Sequence, residues 1–133
     1  MKSLIDILKP IAQKVGLIAD YVIETGTDSF WEYEKWASGK VICRGTTSIT
    51  VTTWTAWGSL YEGTPCLGQT AFPIGLFIEA PHFKVTLTGT VGMFPETYLT
   101  LTKDKTPMIY PVRPTSTSSS PVNYHMEAIG RWK

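Results

Sequence analysis

Lys84-Val85-Thr86-Leu87-Thr88-Gly89-Thr90-Val91 is the stretch on which the fold class turns. Val85, Leu87 and Val91 fall on one side of an extended chain and Lys84, Thr86, Thr88 and Thr90 on the other, the period-two pattern of a half-buried strand. Tyr98-Leu99-Thr100-Leu101-Thr102 repeats it, with Leu99 and Leu101 expected on one face. Working outward, Val, Ile, Thr, Tyr, Phe and Trp recur from residue 20 onward in short runs separated by Gly, Pro, Asn or Ser. Strands are expected near 20–24, 30–36, 39–44, 47–55, 71–79, 82–91, 96–102, 107–113 and 122–131. Nine short strands with no intervening helices predict a mainly β domain, an antiparallel β-sandwich or jelly-roll-like knob.

Composition agrees. The chain has 133 residues, about one domain's worth. Only 17% of them are charged, whereas Thr and Ser together number 28, so hydroxyls coat the outward faces of the strands. A net charge of +1 leaves no basic excess for a phosphate backbone, and nucleic acid is not an expected partner. Asp6 and Pro10 interrupt any signal-peptide core, and no apolar run reaches the ~18 residues of a membrane span. Membrane insertion is not expected, and synthesis in a cytoplasm is. Two cysteines, Cys43 and Cys66, make no disulfide framework and are expected to stay reduced.

Residues 1–19 read differently. Leu4, Leu8, Ile11, Val15 and Ile18 are spaced 4, 3, 4 and 3 apart, one stripe of a helix that Ser3 can cap, with Asp6 near its positive end. Pro10 interrupts the pattern and Gly16 can stop it. The stripe fits a short N-terminal helix packed on its own domain, a self-associating stem, or an anchor in a partner. The division expected is therefore a stem or anchor over 1–19 and a β-sandwich knob over 20–133. Within the knob, 58–69 reads as a surface loop. Thr115 to Ser120, all Thr and Ser, reads as a mobile solvated loop or a receptor-contacting tip.

No catalytic pattern is visible, and the chain is not expected to be an enzyme. His82 and His125 lie far apart in sequence, no metal-ligand spacing occurs, and no cofactor is expected. Glu32 and Glu34 share a strand face and read as a solvated or edge-protecting pair. The notable residues are aromatic. Phe30-Trp31-Glu32-Tyr33-Glu34-Lys35-Trp36 puts Trp31, Tyr33 and Lys35 on one face, and Trp54 and Trp57 follow a Thr-rich strand. Such side chains suit a core, a subunit interface or the stacking of sugar rings. Trp31, Tyr33, Trp54 and Trp57 are accordingly the candidates for an interface or ligand surface.

The two ends carry a longer pattern: Asp20-Tyr21-Val22-Ile23-Glu24-Thr25-Gly26-Thr27, then Trp31-Glu32-Tyr33-Glu34-Lys35-Trp36-Ala37-Ser38-Gly39, Cys43, and finally Ile129-Gly130-Arg131-Trp132-Lys133. It resembles a β-rich domain at the C-terminal end of tail, fibre and other virion proteins of bacteriophages and prophages. The match spans 20–133, dense at the two ends and in character only over 46–120. Arg44-Gly45 stand where an aromatic usually follows the cysteine. The resemblance implies a structural or adhesive virion module, often a homotrimer at the end of a stalk, and it carries no catalytic residues. A virion location follows, with other virion proteins met through the N-terminal segment and a host cell-surface glycan as a candidate partner. Its rivals are a stand-alone carbohydrate-binding β-sandwich and a small hydrolase.

Overall fold

A computed structural model describes residues 3–7, 20–116 and 119–133. Among them nine strands form two antiparallel sheets, a β-sandwich as the alternation predicts. The five-stranded sheet runs β1 (Val22–Asp28), β2 (Trp31–Trp36), β3 (Lys40–Val51), β9 (Ser120–Arg131), β6 (His82–Thr88). The four-stranded sheet runs β4 (Thr53–Trp57), β5 (Leu60–Thr64), β8 (Met108–Arg113), β7 (Phe94–Tyr98).

The pairing of β3 with β9, twelve residues each, is the spine of the molecule. Val41, Cys43 and Val51 of β3 are buried, as are Val122, Tyr124, Met126 and Ala128 of β9. The residues between them, Arg44, Thr46, Ser48 and His125, face solvent, so a one-residue slip would expose the whole core set. The two runs expected at 39–44 and 47–55 are one strand that continues through Thr52 into β4 in the opposite sheet. On β6 the founding pattern holds: Leu87 is buried and Val85 half-buried between exposed Lys84, Thr86 and Thr88. The strand ends at Thr88 rather than at 91.

Three expectations are corrected. Residues 71–79 form no strand. Pro73 lacks a ladder donor and Gly75 has φ 68°, so the segment turns and drops Phe72, Leu76 and Phe77 into the core. There Trp31, Phe72 and Phe77 pack ring to ring at 5.3 and 5.1 Å. Conversely, 58–69 contains a strand, because Gly58 (φ 63°) turns β4 tightly back into β5. The run expected over 96–102 is instead Phe94–Tyr98. Leu99 at φ 67° leaves the strand conformation and is exposed, while only Leu101 packs on the core.

At the N-terminus, residues 4–7 form one helical turn. Ser3 caps it: the Asp6 amide donates to Ser3 Oγ at 3.2 Å, and Ser3 Oγ donates to the Asp6 carboxylate at 2.9 Å. Leu4 is exposed here; Leu8, Ile11, Val15 and Ile18 lie outside the described residues. Of the Thr115–Ser120 segment, 117 and 118 also lie outside them. The flanks are held, since Arg113 Nε donates to the Thr115 carbonyl at 2.9 Å and Nη1 to Ser120 Oγ at 3.3 Å.

Candidate functional site

The sequence-selected aromatics separate on folding. Trp31 is 1% exposed, and its indole N–H donates to the Ala71 carbonyl at 2.9 Å. Trp54 is buried beneath the Arg113 guanidinium, 3.5 Å above its ring. Neither can meet a ligand or a second copy without opening the core, so the expectation of a ligand or interface surface at Trp31 and Trp54 is corrected to a core role. The sequence alternation places them inward but cannot say that loop 65–81 covers one and a buried arginine the other. Tyr33 is half-buried, packed over Gly26, its hydroxyl donating to Glu24 at 3.3 Å. Burial beside that carboxylate raises its phenol above the usual range. Trp57 stands exposed at the end of β4.

What the fold assembles instead is the outer face of the five-stranded sheet. Strand register lines up Thr27, Glu32, Arg44, Glu127 and Lys84 across five strands. Their charges alternate. Arg44 Nε meets Glu127 at 2.9 Å, Arg44 Nη1 meets Glu34 at 3.8 Å, and Lys84 Nζ meets Glu127 at 3.4 Å. The Arg44 hydrogen bond, chiefly, holds the Glu127 carboxyl below its ordinary range. In the next rows Thr46 Oγ1 and Thr88 Oγ1 lie 3.4 and 2.9 Å from the two ring nitrogens of His125, and Ser48 Oγ donates to Asn123 at 2.9 Å. Three neighbouring hollows open on this face, and Arg44 borders each; the two toward β1 measure about 380 and 430 Å³.

Chemically this surface offers hydroxyls, an amide and charges that neutralise one another. It suits a polar, hydroxyl-bearing partner better than an ion, which would have to displace an existing pair. Glu34 is thus an ion-pair partner rather than merely solvated. Arg44, Lys84, His125 and Glu127 are not among the residues that the sequence offers as an interface or ligand surface. Their signal was the same alternation that marks the core, read on its outward phase, but only register shows which of them meet. Among the described residues, no group of three His, Cys, Asp or Glu side chains could hold a metal ion. His82 lies at the β6 edge opposite Ile129, two rows' worth of strand from His125.

The motif residues at the two ends of the sequence meet at one end of the sandwich. The Asp20 carboxylate accepts from the Ser38 amide at 2.9 Å and from the Ser38 hydroxyl. Arg131 Nη2 donates to the Ser38 carbonyl at 3.2 Å, and the Trp132 indole donates to the Trp36 carbonyl at 2.8 Å. Lys40 lies 4.0 Å over the Trp36 ring and Lys35 5.5 Å over Trp132. The motif therefore builds a clasp that ties the start of the β domain to its last strand.

No family model and no curated protein matches the chain. Two solved structures share its fold. An N-truncated R1-type pyocin tail fibre superposes with a TM-score of 0.56 at 9% identity, over 98% of this chain and 98% of that one. A fragment of the P. aeruginosa R1 pyocin fibre comprising its C-terminal residues gives 0.57 at 9% identity, over 98% of this chain and 32% of that one. The chain thus spans about a third of that longer fragment. At this identity the likeness is one of fold: a tail-fibre-like β domain.

Proposed function

We propose that this protein is a structural component of a bacteriophage or phage-like virion. The β-sandwich is a knob displayed on a fibre, a tail tip or the capsid, without catalytic activity of its own. Residues 1–19 gather three copies into a homotrimer or attach the knob to other virion proteins. The outer face of the five-stranded sheet then meets a host cell-surface glycan. One observation carries this reading: the fold matches an R1-type pyocin tail fibre over nearly the full length of both chains. The end motifs and the apolar Leu4, Ile5 and Ile7 exposed on the first helical turn support it. Three copies would also raise a weak surface contact to useful avidity.

Electron microscopy of particles carrying a labelled copy tests the location, with label expected on the particle surface; label absent from particles would overturn the reading. A second reading, a stand-alone carbohydrate-binding module, is favoured by the Arg44-centred hollows. A screen against host surface glycans addresses both. Arg44→Ala is expected to weaken saturable binding about tenfold or more, the scale of losing one charge-assisted hydrogen bond. Trp57→Ala bears on stacking at the one exposed indole among the candidates; loss of binding there alone would move the glycan surface to the β4 end.

A further inference from the structure

A sandwich of two open sheets has four edge strands, and each is a row of unpaired backbone groups that another strand can join unless something blocks it. Three of the four are blocked. β1 carries Glu24 and Asp28 and a register irregularity between Val22 and Glu24. β6 carries Lys84 with His82. β7 contains Pro95, which has no N–H to donate, beside Glu96, and ends at the positive φ of Leu99. β4 has none of these devices. Thr53-Trp54-Thr55-Ala56-Trp57 holds no charge and no proline, pairs with β5 in unbroken register, and is rich in strand-forming residues. Among the described residues no other strand pairs with it, and Thr53, Thr55, Ala56 and Trp57 are exposed.

We infer that β4 is a docking edge for a second copy of this chain, joined antiparallel through β4 itself and centred on Thr55. Electrostatics selects that occupant. Self-pairing of β1, β6 or β7 brings like charges together, whereas β4 meets its own copy without repulsion. The side chains also fit. Centring on Thr55 sets Trp57, 41% exposed, opposite the second copy's Thr53 on the outer face, a large ring against a small residue, while on the inner face Trp54 stays under Arg113 and only its backbone meets the second copy's Ala56. The four-stranded sheet becomes a continuous eight-stranded one across a twofold axis. A five-residue edge buries less than the ~1,200 Å² of a standard stable interface, so the contact is weak in dilute solution and strengthens where copies are held close together. This inference concerns the strand edges and stands apart from the virion reading.

Sedimentation equilibrium of the full chain tests it. Between about 10 µM and about 1 mM the mass is expected to double over whatever the dilute state is, the range that a small interface permits. Thr55→Lys, which places like charges at the centre of the pairing, abolishes that doubling while near-ultraviolet circular dichroism stays native. Thr55→Val, which keeps an uncharged strand former, retains it. Exchange of the β4 amides that face away from β5 slows only at the high concentration. A mass constant to 1 mM, a doubling that survives Thr55→Lys, or β4 amides on the side away from β5 already protected in the dilute state would each overturn the inference. The mass of the dilute state reports separately on trimerisation by residues 1–19.

Discussion

Cys43 and Cys66 show how far environment separates two residues of one type. Both are free, as their number predicts. Cys43 is wholly buried on β3, and desolvation pushes its thiol up to about 12, leaving almost no thiolate at neutral pH. In the folded protein a thiol reagent at pH 8 is expected to modify Cys66 alone; the second equivalent reacts only on unfolding, and two fast equivalents would refute the burial argument. Gly63 illustrates close approach. A Cβ there would stand 2.7 Å from Val51 and 2.9 Å from the Trp54 ring, so Gly63→Ala overpacks the core beneath the Arg113 stack. Chemical denaturation should register a loss of about 2 kcal/mol. Neither outcome can be read from the sequence, where both sites look like ordinary strand or loop residues.

The clasp is the element at which the end motifs acquire a physical role. Asp20 reaches across to the turn between β2 and β3, and that turn is held in turn by Arg131 at the end of β9 and Trp132 just beyond it. Trp132 packs partly against the core as well as bonding Trp36. Trp132→Ala is therefore expected to cost about 3 kcal/mol in a denaturation experiment, the usual scale for truncating a packed indole. Acid should act on the same element and on the charged row. Ser38, first of all, lowers the Asp20 carboxyl from 3.8, and Arg44 lowers Glu127 from 4.5. Each is depressed in the folded state, so its contribution is complete above those ordinary values and disappears as pH falls through the lowered ones. Thermal midpoints should thus decline below about pH 4.5. Asp20→Asn should flatten part of that decline, and a slope unchanged in the variant would detach Asp20 from it. The pattern announces these residues as a motif; that its halves touch depends on β9 returning beside β3.

For the whole molecule, the division between residues 1–19 and the β domain predicts that the two can be separated. A chain lacking 1–19 should keep its strand circular dichroism and a cooperative unfolding transition, and, on the proposal that 1–19 gather three copies, light scattering at low concentration should show a smaller mass than for the full chain. A truncated chain that fails to fold would make the N-terminal segment part of the knob. Local alternation along β3, β6 and β9 determined the sandwich, because a period of two in apolar residues has only one way to hide them. Likewise Ser3 and Asp6 determined the start of the first helical turn through contacts three residues apart. The tertiary structure alone decided the rest. Pro73 and Gly75 break a run that propensity favours, and Phe72, so released, packs on the distant Trp31 while Phe77 packs on Phe72. The outer charged row exists only once five strands lie in register. Its members come from places as distant as Arg44 and Glu127, and no local pattern specifies which outward residues become neighbours. Short-range periodicity sets which face of a strand is buried; long-range pairing sets what that face, and the one behind it, meets.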